Sequence, residues 1–316
     1  MKKIIEGAFF FSITAIALTG IFVFVPGARR KAVGWYDEPR LIEYTLESIN
    51  SIEVKSTSQN IKIKVSDAAT EVTVRYYTNW DGHITDNRSS SLKIEEHWEQ
   101  NWKYVILPKM DHLLNREDYI TLEITVPKGT DLTKLKVTTK SGKIEITGIT
   151  SDTATLNATN QSILVADCDF ADTNISNASG STTIKNSSLG DKGKISHGSG
   201  NMNLTNCTIG DDSKIEGSCT LTGCTLGGDV KIVNTNGNIK VDGTVFSGLT
   251  ITSTSGSITV SDIPEIDLCN FDLKAAAGTI KVNGINHGTV YNVTPNGWQS
   301  KLKINATSGS IVIQQH

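Results

Sequence analysis

Ser141-Gly-Lys-Ile-Glu-Ile146 is a six-residue phrase that the chain repeats to its end. It returns as Ser179-Gly-Ser-Thr-Thr-Ile184, Ser199-Gly-Asn-Met-Asn-Leu204, Asn236-Gly-Asn-Ile-Lys-Val241, Ser255-Gly-Ser-Ile-Thr-Val260, Ala277-Gly-Thr-Ile-Lys-Val282 and Ser308-Gly-Ser-Ile-Val-Ile313. Asn160-Gln-Ser-Ile-Leu-Val165, without the glycine, and Glu216-Gly-Ser-Cys-Thr-Leu221 fill the gaps. Copies mostly follow one another at about 19–20 residues, with longer intervals near the C-terminus, which is the range of a solenoid coil. A small residue and Gly turn the chain, because Gly takes positive φ freely, and Ile-x-Ile then places two side chains on one face of a strand. One coil cannot bury that face alone. Stacking about nine coils at roughly 4.8 Å buries a continuous Ile, Val and Leu ladder in a rod on the order of 45 Å long. Strands such as Leu135-Lys-Val137 and Leu249-Thr-Ile251 supply the facing wall.

Upstream of the repeat the alternation is also that of half-buried strands: Ile52-Glu-Val54, Ile61-Lys-Ile63-Lys-Val65, Val72-Thr-Val74-Arg-Tyr76, Leu92-Lys-Ile94, Tyr104-Val105-Ile106 and Tyr119 to Val126, the last ended by Pro127-Lys128-Gly129. This region, residues 51–130, carries Trp80, Trp98 and Trp102 and is expected to cap the N-terminal end of the solenoid of residues 131–316. At the far end Tyr291-Asn-Val-Thr-Pro-Asn-Gly-Trp298 interrupts the period and is expected to cap or cross the last coils. Residues 32–50 read as a juxtamembrane connector.

Before the connector, Gly7 to Val25 is free of charge and long enough to span roughly 28 Å as a helix, so residues 1–31 read as a membrane anchor with flanking charges. A cleaved signal peptide would have a shorter apolar stretch ending in a small-x-small site, whereas this one ends in Pro26-Gly27-Ala28-Arg29-Arg30-Lys31. The predicted fold is therefore all-β, a β-helix-like solenoid preceded by one transmembrane helix. Taken literally, the positive-inside rule puts the domain after Arg29, Arg30 and Lys31 in the cytoplasm, but long domains translocate largely regardless of such charges.

Composition narrows the function classes. A net charge of -3 gives no reason to expect a nucleic-acid partner, and 6% aromatic content disfavours a thick globular core. The five cysteines, Cys168, Cys207, Cys219, Cys224 and Cys269, match neither a zinc ribbon nor a Cys-x-x-Cys motif, and read as small buried residues of the stack. Solenoid enzymes that cut polysaccharides need carboxylates beside Lys or Arg on one coil face, yet no Arg follows Arg116. The tight acidic pairs Asp167 with Asp169 and Asp211 with Asp212 fall where solvated turns are expected, and His197 beside Gly198 reads as a turn histidine. Asn79-Trp80-Asp81-Gly82 could stack a sugar on its Trp but is explained by a simple turn. No catalytic, cofactor-binding or metal residue is assigned, no cofactor is expected, and the chain reads as a protein that is not an enzyme.

The phrase Leu135-Lys-Val-Thr-Thr-Lys-Ser-Gly-Lys-Ile-Glu-Ile-Thr-Gly148, preceded by Ile124-Thr-Val-Pro-Lys-Gly-Thr130, resembles the putative-adhesin family of unknown function whose members include the LiaG-like proteins of bacterial envelope-stress operons. The resemblance covers about residues 50–316 and departs from the pattern at Gln161 and in the cysteine-bearing middle coils. It implies a bacterial, membrane-anchored, extracytoplasmic solenoid and transfers no catalytic residue. The leading expectation is thus a single-pass cell-membrane protein whose exported rod binds cell-wall polymer or an envelope protein, with self-association through the rod ends as a further partner mode. The alternative is a cytoplasmic self-assembling scaffold of the bactofilin type, suggested by Gly227-Gly-Asp-Val-Lys-Ile and Val241-Asp-Gly-Thr-Val. A polysaccharide-cleaving solenoid comes last.

Overall fold

The computed structural model describes residues 40–78, 84–87, 89–96 and 120–315. The expected membrane helix, the Asn79–Gly82 turn and the Tyr104–Ile106 strand lie outside them.

The described residues form two long sheets, of 14 and 16 strands, that face each other across one core. Each turn of the chain contributes a short strand to the first sheet, such as Ile144–Thr147, and a longer one to the second, such as Thr150–Ala158. In the longer strand Asp152 and Thr153 both face outward between inward Ser151 and Ala154, which marks a corner. The expected Ile-x-Ile ladder is continuous. Ile144 pairs with Ile163, Ile163 with Thr182, Thr182 with Met202, Met202 with Cys219, Cys219 with Ile239 and Ile239 with Ile258. A parallel row runs from Ile146 through Val165, Ile184, Leu204, Leu221 and Val241 to Val260. Every member of this second row is buried, so each coil is covered on both sides by its neighbours.

Two features hold the coil geometry. After the first-sheet strand the chain takes one left-handed residue, and the stacked positions Gly148, Asp167, Asn186, Asn206, Gly223, Gly243 and Asp262 all have positive φ. Only Gly, Asn and Asp appear there, as the steric cost of that region requires. At the other turn Gly256 has φ +110, and a Cβ on it would lie 1.9 Å from the Gly237 carbonyl oxygen, so the coils approach too closely there for a side chain.

The stack is eleven coils deep, roughly 50 Å, because the N-terminal region joins it. Ser51–Ser56 and Asn60–Ser66 stack in parallel on Lys134–Thr139 and Ile144–Thr147, and Ser91–Glu96 with Thr121–Pro127 stack outside them. The described strands Ser51–Ser56, Asn60–Ser66, Ser91–Glu96 and Thr121–Pro127 are thus two further coils of the rod. Glu96 ties the two together: its buried carboxylate accepts from Ser56 Oγ (2.6 Å) and from the Thr57 and Ser58 amides (2.6 and 2.9 Å). Arg40–Leu46, inside the segment expected as a connector, is a strand antiparallel to Val72–Thr78, which runs antiparallel to Thr121–Pro127.

The C-terminal end departs from sequence order. The last coil in the chain, Ser300–Ser308 with Ile311–Gln314, is inserted between Val245–Ser255 with Ile258–Ser261 and Cys269–Ala277 with Ile280–Val282. The coil of residues 269–282 is therefore terminal, and Ile285–Asn286 and Val290–Val293 close it as antiparallel strands. Tyr291 belongs to that closure, as expected of the interrupted segment. Antiparallel strands at both ends remove the parallel edges on which further coils could stack.

Candidate functional site

The last inward position of each second-sheet strand faces the turn to the first sheet. In register it reads Ser56, Thr139, Ala158, Asn177, His197, then Gly217, then Asn234, Ser253, Ala306 and Ala275. Turn carbonyls need donors, and the polar members supply them. Asn177 Nδ2 donates to the Gln161 and Ser181 carbonyls (3.1 and 3.2 Å). Asn234 Nδ2 donates to the Gly237 carbonyl at 2.7 Å, and Ser253 Oγ to that of Ser255 at 3.3 Å. These side chains are 0–2% exposed, so they are structural polar groups inside the rod.

One coil breaks the series. Ser199 and its successor Glu216 stand 17 apart, and the chain passes from strand Lys214–Glu216 into Cys219–Thr222 through Gly217 and Ser218 alone. Counted from the last inward position, four residues separate His197 from Met202 and Asn234 from Ile239, whereas Ser218 alone separates Gly217 from Cys219. An open cleft of about 1140 Å³ results between the neighbouring turns, with Gly217 where the ladder would carry a side chain. His197 and Asn234 flank that glycine and line the cleft. They are 7% and 2% exposed, and His197 Nε2 and Asn234 Oδ1 are buried without a hydrogen-bond partner.

The charge around the cleft is already compensated. Glu216 bridges Lys214 at 2.7 Å and Lys194 at 3.1 Å, whose hydrogen bonds hold its carboxyl below the usual carboxylate range. Lys240 pairs with Asp242 at 3.2 Å. Burial pushes the His197 imidazole below its ordinary value, against an opposing pull from the Ser199 and Gly180 backbone. His197 is therefore not the turn histidine expected from its neighbour Gly198: it lies on the inner face of strand Lys194–Ser199. The 17-residue interval was the sequence signal for the cleft.

The other candidates take structural places. Asp167 and Asp212 have left-handed backbones; Asp167 accepts from Asn186 Nδ2 (3.2 Å), and Asp211 from the Asp229 amide (2.7 Å). All five cysteines are free thiols and buried. Cys168, Cys207 and Cys224 follow the left-handed residue, and each thiol donates to the carbonyl two residues earlier, at 3.1, 3.3 and 3.6 Å. Ser187 and Thr244 make the same bond in their coils, at 2.7 and 3.1 Å. These three cysteines thus do the work of a turn hydroxyl, beyond filling space. Burial pushes Cys168 up to about 11 and Cys219 up to about 12. Among the described residues no group of three or more His, Cys, Asp and Glu is placed to hold a metal ion. A second, smaller hollow of about 370 Å³ lies by Arg75, Tyr77, Lys62 and Glu145, where Lys62 and Glu145 pair at 3.4 Å.

No curated protein matches the chain. One solved structure, of a putative cell adhesion protein from Clostridium sporogenes, aligns over 88% of this chain and 100% of its own at 11% identity, with a TM-score of 0.22. The model of one family does cover most of the sequence, residues 49–314, which takes in the whole stack from its first core residue, Ile49, to its last strand. The chain belongs to the Toastrack DUF4097 family.

Proposed function

We propose that this chain is a non-catalytic binding or scaffold module of the bacterial cell envelope, adhesin-like and akin to the LiaG-like proteins. Gly7 to Val25 anchors it, and the rod stands outside the membrane. The observation that carries the reading is the outer surface of a rod closed at both ends. Along the first sheet the outward row runs Glu145, Leu164, Thr183, Asn203, Thr220, Lys240 and Thr259 in unbroken register. On the second sheet Lys136 pairs with Glu53 (3.2 Å) and Lys303 with Asp272 (3.6 Å) across neighbouring coils. Such a face offers extended contact, polar at every position of the row but Leu164, to a polymer or a flat partner. Antiparallel closure of both ends works against indefinite stacking, so a polymerising cytoplasmic scaffold is the weaker reading.

The test is co-sedimentation of the purified full-length chain, in detergent, with isolated cell-wall sacculi and with envelope membranes. Saturable binding to either is expected. Absence of binding to both overturns the module reading, and filaments of the chain alone in electron micrographs favour the scaffold.

A further inference from the structure

We infer that Cys207 and Cys224 are joined in the exported rod by a disulfide that staples the short coil to the coil before it. This rests on the proposed location outside the membrane, since structural disulfides persist where the surroundings are oxidising.

The pair follows from register. Thr205 stacks on Thr222 and Thr208 on Thr225, with two residues between them in each coil, so Cys207 lies directly over Cys224. The Thr225 amide donates to the Cys207 carbonyl at 2.8 Å. Parallel neighbours in register are roughly 4.8 Å apart at Cα, inside the span of about 4.4–6.8 Å that a disulfide accepts. Among the described residues no other two cysteines stack in this way. Cys168 lies over Ser187, Cys219 between Met202 and Ile239, and Cys269 beside Ser300. Strand Cys219–Thr222, at about 3.3 Å per residue, holds Cys219 too far from Cys224.

The side chains are placed for the bond. Both cysteines are buried, and a hydrogen bond between their thiols pulls Cys224 below the ordinary thiol range and pushes Cys207 above it. Cys224 Sγ leans toward the coil of Cys207, 3.5 Å from the Leu204 carbonyl. Cys207 Sγ leans the same way, 3.4 Å from the Ile184 carbonyl, and meets its partner by a turn about χ1. The turn carbonyls that lose a thiol donor stay paired: those of Thr205 and Thr222 keep the Asn186 and Asn206 amides, at 3.0 and 2.9 Å. The staple also sits where the rod is thinnest, because it spans the coil in which Ser218 alone makes the turn.

The bond forms by exchange as the two coils come together, before burial closes them off. One cysteine thiolate attacks a sulfur of a protein or low-molecular-weight disulfide, giving a mixed disulfide and one released thiolate. The second cysteine thiolate attacks the cysteine sulfur of that mixed disulfide and releases the other half of the oxidant. Two cysteine thiols are oxidised to one disulfide, and the oxidant is reduced to two thiols that carry the two protons.

The experiment takes the full-length chain in detergent, unfolded in urea and refolded in a glutathione redox buffer, beside the chain from cells whose thiols are alkylated at lysis. Fragment mass spectrometry locates each free and bonded cysteine, and thermal melts are run with and without dithiothreitol. The expected result is a Cys207–Cys224 cross-link in both preparations, alkylated Cys168, Cys219 and Cys269, and a melting temperature about 5–10 °C lower on reduction. Cys224→Ser places at this turn the residue type that Ser187 supplies in its own coil, so it folds without the bond and its melt ignores dithiothreitol. Five alkylated cysteines after refolding, a bond to any other cysteine, or a wild-type melt indifferent to reduction overturns the staple wherever the rod lies. A cross-link in the refolded chain with five free thiols in cells overturns the external location, and the staple in the cell with it.

Discussion

Ile304→Ala probes the inserted coil. Ile304 is 0% exposed and sits between Ile251 of one neighbouring coil and Leu273 of the other, so both flanks are packed. Were the coils stacked in sequence order, residues 300–314 would be terminal, with one flank open and free to fray. Truncating a fully enclosed isoleucine costs about 2–5 kcal/mol, because the cavity adds to the lost transfer energy. Loss at a fraying terminal coil would be well under about 1 kcal/mol, since such segments open locally at little cost. Equilibrium urea unfolding, followed by far-ultraviolet circular dichroism and by tryptophan fluorescence, separates the two. A destabilisation above about 2 kcal/mol with both probes moving together is expected. A cost below about 1 kcal/mol, or a fluorescence change that precedes the dichroism change, refutes the inserted order.

Cross-linking checks the same order from outside. Thr250 and Lys303 are register partners, so T250C with K303C has the roughly 4.8 Å Cα spacing that a disulfide accepts, whereas T250C with D272C spans two coils, about 9.6 Å, and should stay reduced under the same oxidant. For His197 the folded pKa lies below the ordinary 6.5, so the unfolded chain takes up the proton first and stability falls as pH drops from about 6.5 toward the folded pKa. His197→Gln should flatten that slope in urea titrations between pH 7 and 5, a window in which Glu53 and Glu216, both held below 4.5, stay ionised. An unchanged slope would contradict the buried, neutral imidazole. Cys168→Ser should be nearly neutral in thermal melts, because Ser187 fills the same turn position one coil on, while Cys168→Ala should lower the melting temperature by losing the donor to the Ala166 carbonyl.

The coil itself could be read from Ser-Gly-x-Ile-x-Ile because one local pattern dictates both the turn and the buried pair. Stacking order could not. Ala277-Gly-Thr-Ile-Lys-Val282 and Ser308-Gly-Ser-Ile-Val-Ile313 present closely similar inward pairs, Ile280 with Val282 and Ile311 with Ile313, and either pattern suits the Ile258 and Val260 row. Alternation fixes which face is buried but not which neighbour covers it. The same degeneracy holds for the two N-terminal coils: Ile61 and Ile63 continue the ladder of Ile144 and Ile146 without the preceding glycine, and Leu122 and Ile124 continue it again after the 58 residues that separate Ile63 from Leu122. The strand Arg40–Leu46 is set by tertiary pairing with Val72–Thr78, which the local alternation of Leu41 to Leu46 does not specify. As for the cleft, its residue types are those of any turn, and only the shortened interval between Ser199 and Glu216 sets it apart. Gly198 marks a bend, but the His197 ring belongs to the last inward position before it, which the sequence of that one coil does not reveal.

The most direct test of the central claim, an anchored rod on the outer side of the membrane, is topology. Alkaline phosphatase fused after His316, with a cytoplasm-dependent reporter fused in parallel, reads which side the rod occupies. Phosphatase activity with a silent cytoplasmic reporter is the predicted result. Activity of the cytoplasmic reporter alone would contradict the envelope-binding account and turn attention to a scaffold inside the cell.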